Sequence, residues 1–326
     1  MNKMQTDHVK LDNIKFYIGP MSKNVVDSVI EVSQEHNIFG LIPSRRQVEH
    51  NGGYVNNWRT DSFAKYIEGR VPICRDHGGP NQGIEQDEGF QSLSWDLKYF
   101  NIIHLDPWLK YKDYNEGLAR TVSSLNYVHE RNPDILFEVG TEEALRKFTV
   151  QELDRLLTDL SRELSEVAFS RIAYAVVQSG VGLDLGKQIN TGSFNAERLS
   201  EMVKVCREHG VLSKEHNGDY LTKEEVSTRF ELGLTSINIA PEFGQIETLC
   251  YLEEMGEDIE SYYQICLSSG KWKKWVDSDF DPSANKKELI KICGHYVLSD
   301  PEFIKIKPNI DSKIKSVIKD HIKNMY

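Results

Sequence analysis

Eight short apolar segments recur along this chain and alternate with longer segments of helical periodicity. The short segments are rich in β-branched and aromatic residues, which is typical of buried strands. The strand candidates are residues 15–20, 38–44, 71–77, 100–107, 134–142, 172–180, 210–218 and 236–242. Strands that alternate with helices pair in parallel, and eight such units suffice to close a barrel. The alternation therefore predicts an α/β fold of the (β/α)8 TIM barrel type.

The segments between the strand candidates have helix start signals, and the alternation ends near residue 256. Asn195 and Thr222 precede two of the helical segments and are predicted N-caps. Residues 257–326 contain helix signals but no strand candidate. We expect a barrel over residues 1–256 and a helical C-terminal extension over 257–326, packed on the barrel or on a neighbouring subunit. The alternative is an open doubly wound sheet, but no Gly-x-Gly-x-x-Gly turn supports it.

Composition limits the partners and the compartment. The formal net charge of −11 argues against a nucleic-acid partner, because such binding requires clustered Lys and Arg. The five cysteines include no Cys-x-x-Cys pair, as expected in a reducing cytoplasm. The first residues resemble no signal peptide, and no apolar run reaches the ~20 residues that span a bilayer. We therefore expect a cytoplasmic protein without a membrane partner.

Polar residues follow most of the predicted strands. Catalytic groups of a barrel lie at the carboxyl ends of its strands, where all eight loops meet. The polar residues at or near these ends are Ser44, Arg45, Asp76, His77, Asp106, Glu138, Glu142, Gln178, Glu215, His216, Asn238 and Glu242. This distribution predicts a site at the barrel mouth.

Two histidines are the candidate metal ligands. His77 and His216 each end an apolar strand and are followed by Gly or Asn-Gly. Imidazole is a common ligand of zinc, although a structural role is an equal alternative on position alone. Asp76 is either an acid/base group beside the metal or a loop cap. His104 and Asp106 share one side of a strand; His104 is expected to be an interior residue and Asp106 a site residue.

Several motifs resemble one protein family. They are NGGY (51–54), RDHGGPN (75–81), IHLD (103–106), VGTE (139–142), VVQSGV (176–181), EHNGDY (215–220) and NIAPEFG (238–244). In this order they are similar to motifs of the tagatose-bisphosphate aldolase non-catalytic-subunit-like proteins, relatives of the class II, metal-dependent ketose-bisphosphate aldolases. The resemblance spans residues 38–255.

The resemblance implies a barrel enzyme that holds Zn²⁺ or another divalent metal. Asp76 would exchange the proton at the aldehyde-derived oxygen, and His77 and His216 would be metal ligands. Active aldolases have a third histidine after the sixth strand, where this chain has Gln178, and an amide oxygen is a weaker zinc ligand. The third ligand would then be Gln178, Glu138 or Glu142, or the site would hold no metal. The resemblance also makes Glu142 a candidate for the base that acts on the ketose carbon in the active enzymes.

The implied activity is that of an aldolase acting on a phosphorylated ketose or a related sugar phosphate through an enediolate. Its candidate substrate contacts are Asn217, Gly218, Asn238, Asp106, Lys214 and Arg45. One alternative is a non-catalytic or chaperone subunit in a complex with a catalytic aldolase, which Gln178 favours. Another is a sugar-phosphate epimerase or isomerase on the same scaffold. The resemblance also implies a homo-oligomer, either a dimer or a tetramer.

Overall fold

A computed structural model describes residues 11–140 and 148–326 and has eight parallel barrel strands. They are β1 (Phe16–Ile18), β2 (Phe39–Leu41), β3 (Cys74–Gly78), β4 (Ile102–Leu105), β5 (Leu136–Val139), β6 (Ile172–Val177), β7 (Leu212–Glu215) and β8 (Ser236–Ile239). Their order in the sheet is β2-β1-β8-β7-β6-β5-β4-β3. Parallel bridges from Leu41 to Ile73 and from Ser44 to Asp76 connect β2 to β3. The prediction of a (β/α)8 TIM barrel is confirmed.

Within the described parts of the barrel, nine helices follow the strands. They are α1 (Lys23–Ser33), α2 (Thr60–Ile67), α3 (Phe90–Tyr99), α4 (Tyr114–His129), α5 (Val150–Glu163), α6 (Glu166–Phe169), α7 (Ala196–Glu208), α8 (Lys223–Glu231) and α9 (Pro241–Glu254). Both predicted N-caps are present: the Asn195 side chain accepts a hydrogen bond from Arg198 N, and that of Thr222 from Glu225 N. A short antiparallel hairpin after β6, Leu183–Asp184 with Ile189–Asn190, lies outside the barrel sheet.

The C-terminal extension is helical and packs on the barrel of its own chain. It contains α10 (Ile259–Ser269), α11 (Lys286–Cys293), α12 (Pro301–Ile306) and α13 (Asp311–Asn324). Helix α13 contacts α1 and α9 and buries Ile314, Ile318 and Ile322, which share one face because they are spaced by four residues. The division into domains at residue 256 stays a prediction.

The strands separate two cores. Outward-facing residues such as Ile103 and Leu105 of β4 belong to the apolar layer between barrel and helices. Inward-facing residues form a smaller interior cluster that includes Ile102, Tyr17 and Tyr174. Alternation along each strand produces this division, and it aims the inward residues near the carboxyl ends at the barrel mouth.

All five cysteines are free and buried. Within the described ranges, none of the helices is both long enough and apolar enough to cross a bilayer.

Candidate active site and metal centre

The end of β3 brings two consecutive side chains to the barrel mouth. Neighbours on a regular strand point to opposite faces. Here the pairing of β3 with β4 shifts register between Arg75 and Gly78, and His77 has a φ of 43°, in the left-handed region. An irregularity of this kind re-aims a side chain. As a result, Oδ1 of Asp76 lies 3.6 Å from Nε2 of His77.

Four residues bring ligand atoms together at this point. One such atom from each of Asp76, His77, His104 and His216 lies within 4.8 Å of the others. The centres of the three imidazole rings are 5.0, 5.1 and 5.3 Å apart. Three imidazoles that share a tetrahedral zinc at ~2.0–2.1 Å place their ring centres roughly 5 Å apart. The donor set, three nitrogens and a carboxylate, therefore fits Zn²⁺ or a similar divalent ion.

Two buried carboxylates orient two of the imidazoles. Oδ2 of Asp106 lies 2.6 Å from Nδ1 of His77, and Oε1 of Glu138 lies 2.6 Å from Nε2 of His216. Metal-binding histidines commonly use their second ring nitrogen in this way, which fixes the tautomer and makes the other nitrogen a better ligand. These contacts leave Nε2 of His77 and Nδ1 of His216 facing Oδ1 of Asp76, at 3.6 and 4.0 Å.

The third imidazole, His104, is one that the sequence assigns to the interior. It is buried as expected, but its ring also completes the cluster. Burial lowers the pKa of His104 to about 3, so the ring is neutral and retains a lone pair for a metal. The signal that could have found it is the spacing in IHLD, which places His104 on the inward face of β4 with Asp106 at the strand end.

Glu138 is engaged on both carboxylate oxygens. Oε2 lies 2.6 Å from Nζ of Lys214, and both side chains are fully buried inside the barrel. Although burial acts to raise it, the pKa of Glu138 lies well below its usual value, because the Lys214 ammonium and the hydrogen bond with His216 stabilise the carboxylate. In this geometry Glu138 orients His216 and neutralises Lys214, and its role as a metal ligand stays a prediction.

Asn238 places an unpaired carboxamide beside the cluster. Ser236 is paired with Lys214 across β7 and β8, so Asn238 is level with His216. Asn238 is only 6% exposed, yet neither Oδ1 nor Nδ2 has a hydrogen-bond partner. Because an unmet buried polar group costs about 1–3 kcal/mol, this side chain is well suited to a polar substrate atom.

The other predicted cationic contacts are already neutralised. Nζ of Lys214 faces Glu138 and lies 3.8 Å from the centre of the Tyr17 ring. The guanidinium of Arg45 is buried and binds Glu49 and Asp87. Both side chains therefore already have carboxylate partners, and their role as substrate contacts stays a prediction.

The remaining predicted residues occupy varied positions. Asp106 contacts His77 and Gln82 rather than open space. Oε1 of Gln178 accepts a hydrogen bond from Phe148 N at 3.3 Å. Asn217 has a φ of 58°, and the N–H of Gly218 donates to the carbonyl of Asn238. Glu142 lies outside the described residues.

Comparisons with known proteins relate the chain to others by fold. No protein-family model and no curated protein matches its sequence. Its structure is similar to that of a probable tagatose 6 phosphate kinase from Sinorhizobium meliloti 1021, with a TM-score of 0.72, 16% identity, and coverage of 93% of this chain and 87% of that one. It is also similar to the fructuronate-tagaturonate epimerase UxaE from Cohnella laeviribosi, with a TM-score of 0.65, 10% identity, and coverage of 96% and 80%.

A third similar structure is a fructose-bisphosphate aldolase from Campylobacter jejuni. Its TM-score is 0.54 at 11% identity, with coverage of 98% of this chain and 92% of that one. At such low identities the likeness establishes the shared barrel fold, and the chemistry has to be argued from the site.

Proposed function

We propose that this protein is an enzyme of sugar-phosphate chemistry, and that it is a metal-dependent aldolase of the class II type. The observation that carries the proposal is the cluster of Asp76, His77, His104 and His216 at the barrel mouth. Its donor set fits a divalent metal, and two of its imidazoles are held by buried carboxylates. The resemblance of RDHGGPN, IHLD and EHNGDY to motifs of the aldolase superfamily adds support.

His77, His104 and His216 would hold the metal. An aldol cleavage breaks the bond between the carbons α and β to a carbonyl and leaves an enediolate. A divalent cation supplies Lewis-acid stabilisation of the negative charge that develops on it. The neutral state of His104 suits it to this role, and Asp106 and Glu138 keep the other two rings in place.

Asp76 is the candidate acid/base group. Its side chain is 21% exposed, more than that of the buried His216, and Oδ1 lies at the inner edge of the mouth. From this position it can take the proton from the hydroxyl at the cleaved carbon and return it in the synthetic direction. Such proton transfer typically contributes ~10²–10⁴-fold to a rate. Asn238 would hold the enediolate oxygens through its unpaired carboxamide.

A Schiff-base mechanism at Lys214 is disfavoured. Although burial acts to lower it, the pKa of Lys214 is raised by the neighbouring Cys74 and Glu138. The ammonium therefore stays protonated, and it is fully buried. An amine has to be neutral and accessible to attack a carbonyl.

The two alternatives differ in how the structure bears on them. The glutamine at position 178 favours a non-catalytic partner of a catalytic aldolase, but His104 supplies a third imidazole and removes the main reason for that alternative. An epimerase remains a second candidate. Among the described residues Asp76 is the one carboxylate within the cluster, and an epimerase that breaks and re-forms one bond can use the same proton-transfer group twice.

Metal analysis combined with turnover tests the proposal. The purified protein is expected to hold about one divalent ion, and His216→Ala to hold none. Asp76→Asn is expected to retain the metal and to lose retro-aldol turnover of a panel of ketose phosphates, followed through NADH-coupled detection of triose phosphate. Isomeric products without triose phosphate would favour the epimerase. A metal-free protein without turnover that stabilises a co-expressed aldolase would overturn the enzyme proposal.

A further inference from the structure

Backbone amides at one side of the barrel mouth are already used within the protein. Many TIM barrels bind a phosphate with the loops after the seventh and eighth strands and a helix N-terminus. Here six backbone amides near the ends of β6, β7 and β8 have internal acceptors, and four of the six donate to one of three carboxylates. The six amides are Ser179 N to Glu215, Gly182 N to Asn190, Gly218 N to the Asn238 carbonyl, Tyr220 N to Glu242, and Ala240 N and Glu242 N to Asp219.

Carboxylates dominate this side of the mouth. Asp219 is fully buried and accepts both amides at the start of α9, at 3.0 and 2.9 Å. Glu242 lies beside it and accepts the N–H of Tyr220 at 2.7 Å. A phosphate placed here would have to displace the hydrogen bonds that Asp219 and Glu242 accept, and it would face the negative charge of Glu242. If the substrate is anionic, its charged group has to be held elsewhere.

The C-terminal extension forms part of the rim near the ends of β2 and β8. The rings of Tyr54, in the loop after β2, and Tyr296 have centres 5.4 Å apart. In the same region, Asn56 N donates to Oγ of Ser299 at 2.7 Å. A side chain at Gly244, in the first turn of α9, would approach Cβ of His295 to 2.6 Å. Residues 295–299 therefore lie against the loop after β2 and against the first turn of α9, which follows β8.

This rim carries cations without acidic partners. Among the described residues no carboxylate forms an ion pair with Arg46 or Lys274, whereas the preceding Arg45 has two such partners. Nζ of Lys274 lies 4.4 Å from the centre of the Trp275 ring and 5.5 Å from that of Tyr296. Partial desolvation of the ammonium, together with the Arg46 and Lys271 charges, lowers the pKa of Lys274. The local positive potential is thus uncompensated.

One loop connects this rim to the metal centre. Nε of Arg46 donates to the carbonyl of Gly83 at 3.3 Å. The adjacent Gln82 donates to Oδ2 of Asp106 at 2.8 Å, and Asp106 in turn holds His77. The guanidinium is therefore two residue contacts away from the carboxylate that orients a candidate metal ligand.

We propose that Arg46 and Lys274 form an anion-binding subsite at the rim of the barrel mouth, where they hold the phosphate of the sugar substrate. Guanidinium and ammonium donors form charge-assisted hydrogen bonds with phosphate oxygens, and two cations match a dianion better than they match a carboxylate. The assignment of the phosphate to a substrate rests on the proposed function. The anion-binding subsite itself follows from the charges at the rim and does not depend on that function.

The test is binding of glycerol 3-phosphate to the full-length protein, followed by calorimetry and by ³¹P NMR. Arg46→Met and Lys274→Met are each expected to weaken binding about tenfold or more, since hydrogen bonds to charged groups contribute roughly that factor. Lys273→Met is the matched control, because that lysine lies 6.0 Å from the Trp272 ring and outside the proposed subsite. Unfolding curves of all variants establish that each is folded.

Several outcomes would overturn the subsite. One is unchanged affinity in the Arg46 and Lys274 variants. Another is loss of binding only in His216→Ala, which would place the phosphate on the metal. A third is equal affinity for glycerate, which would show that the subsite does not prefer phosphate. These results do not depend on turnover. Phosphate binding that requires Arg46 and Lys274 in a protein without metal or activity would refute the proposed function and retain the subsite.

Discussion

Replacement of Glu138 by glutamine removes one charge from the interior of the barrel. The carboxylate is fully buried, 2.6 Å from Nζ of Lys214 and 2.6 Å from Nε2 of His216. Glutamine preserves the size of the side chain and leaves the Lys214 ammonium buried without a counter-ion. The remaining stabilisation of that cation comes from the Tyr17 and Tyr174 rings, whose centres lie 3.8 and 5.0 Å from Nζ.

The expected loss of stability is large. Removal of one partner from a buried ion pair costs ~3–5 kcal/mol, because the other charge stays desolvated. Cation–π contacts with the two tyrosines stabilise the ammonium by about 2 kcal/mol, and they are present before and after the change. We therefore expect Glu138→Gln to lower the free energy of unfolding by about 3 kcal/mol. The double variant Glu138→Gln with Lys214→Met removes both charges and should recover most of this loss.

Urea denaturation of the chelator-treated protein is the appropriate assay, because bound metal would add its own contribution to stability. Glu302→Gln is the matched control: it breaks an exposed pair with Lys305 at 2.5 Å and should cost less than about 1 kcal/mol. A loss below about 1 kcal/mol for Glu138→Gln would refute the reasoning. So would a double variant as unstable as the single one.

Three other expectations concern the metal centre and the mouth. Asp106→Asn should weaken metal binding about 10–100-fold in a chelator competition, whereas Asp154→Asn, which breaks an exposed contact with a histidine, should leave it unchanged. His104→Ala should abolish stoichiometric metal and Gln178→Ala should retain it; the reverse metal contents would restore Gln178 as the ligand. Burial raises the pKa of Asp219 to about 7, so its contribution to stability is full below about pH 4 and is lost as the pH rises through 7. In urea denaturation, the free energy of unfolding of Asp219→Asn relative to that of the wild type should therefore be higher at pH 8 than at pH 5. The opposite order would contradict the assigned shift.

Local sequence signals were sufficient to predict the fold. A short apolar segment predicts a buried strand, and apolar residues repeated every three to four positions predict a helix. Both patterns are visible in the sequence without any knowledge of tertiary contacts. The caps Asn195 and Thr222 are equally local, since each side chain bonds an amide three residues further on. Position at a strand end also pointed to Asp76, His77 and His216, because strand ends converge in any parallel barrel.

Tertiary structure decided how these groups pair. His104 lies next to His77 and His216 because the neighbouring strands β3 and β4 and the more distant β7 bring the three rings together. The spacing in IHLD indicates that His104 faces inward, but it does not indicate these neighbours. The pairing of Lys214 is also a tertiary feature. In the sequence its ammonium is a candidate contact for an anion, but in the folded protein it is neutralised by Glu138 from another strand. Hydrogen bonds and ion pairs act over a few ångströms in space, whereas the pattern of a sequence reports only on neighbours along the chain. The sequence by itself therefore determined the barrel and the side of it that carries the site, and only the folded structure decided which groups serve as ligands, which orient them, and which cations remain to meet an anion.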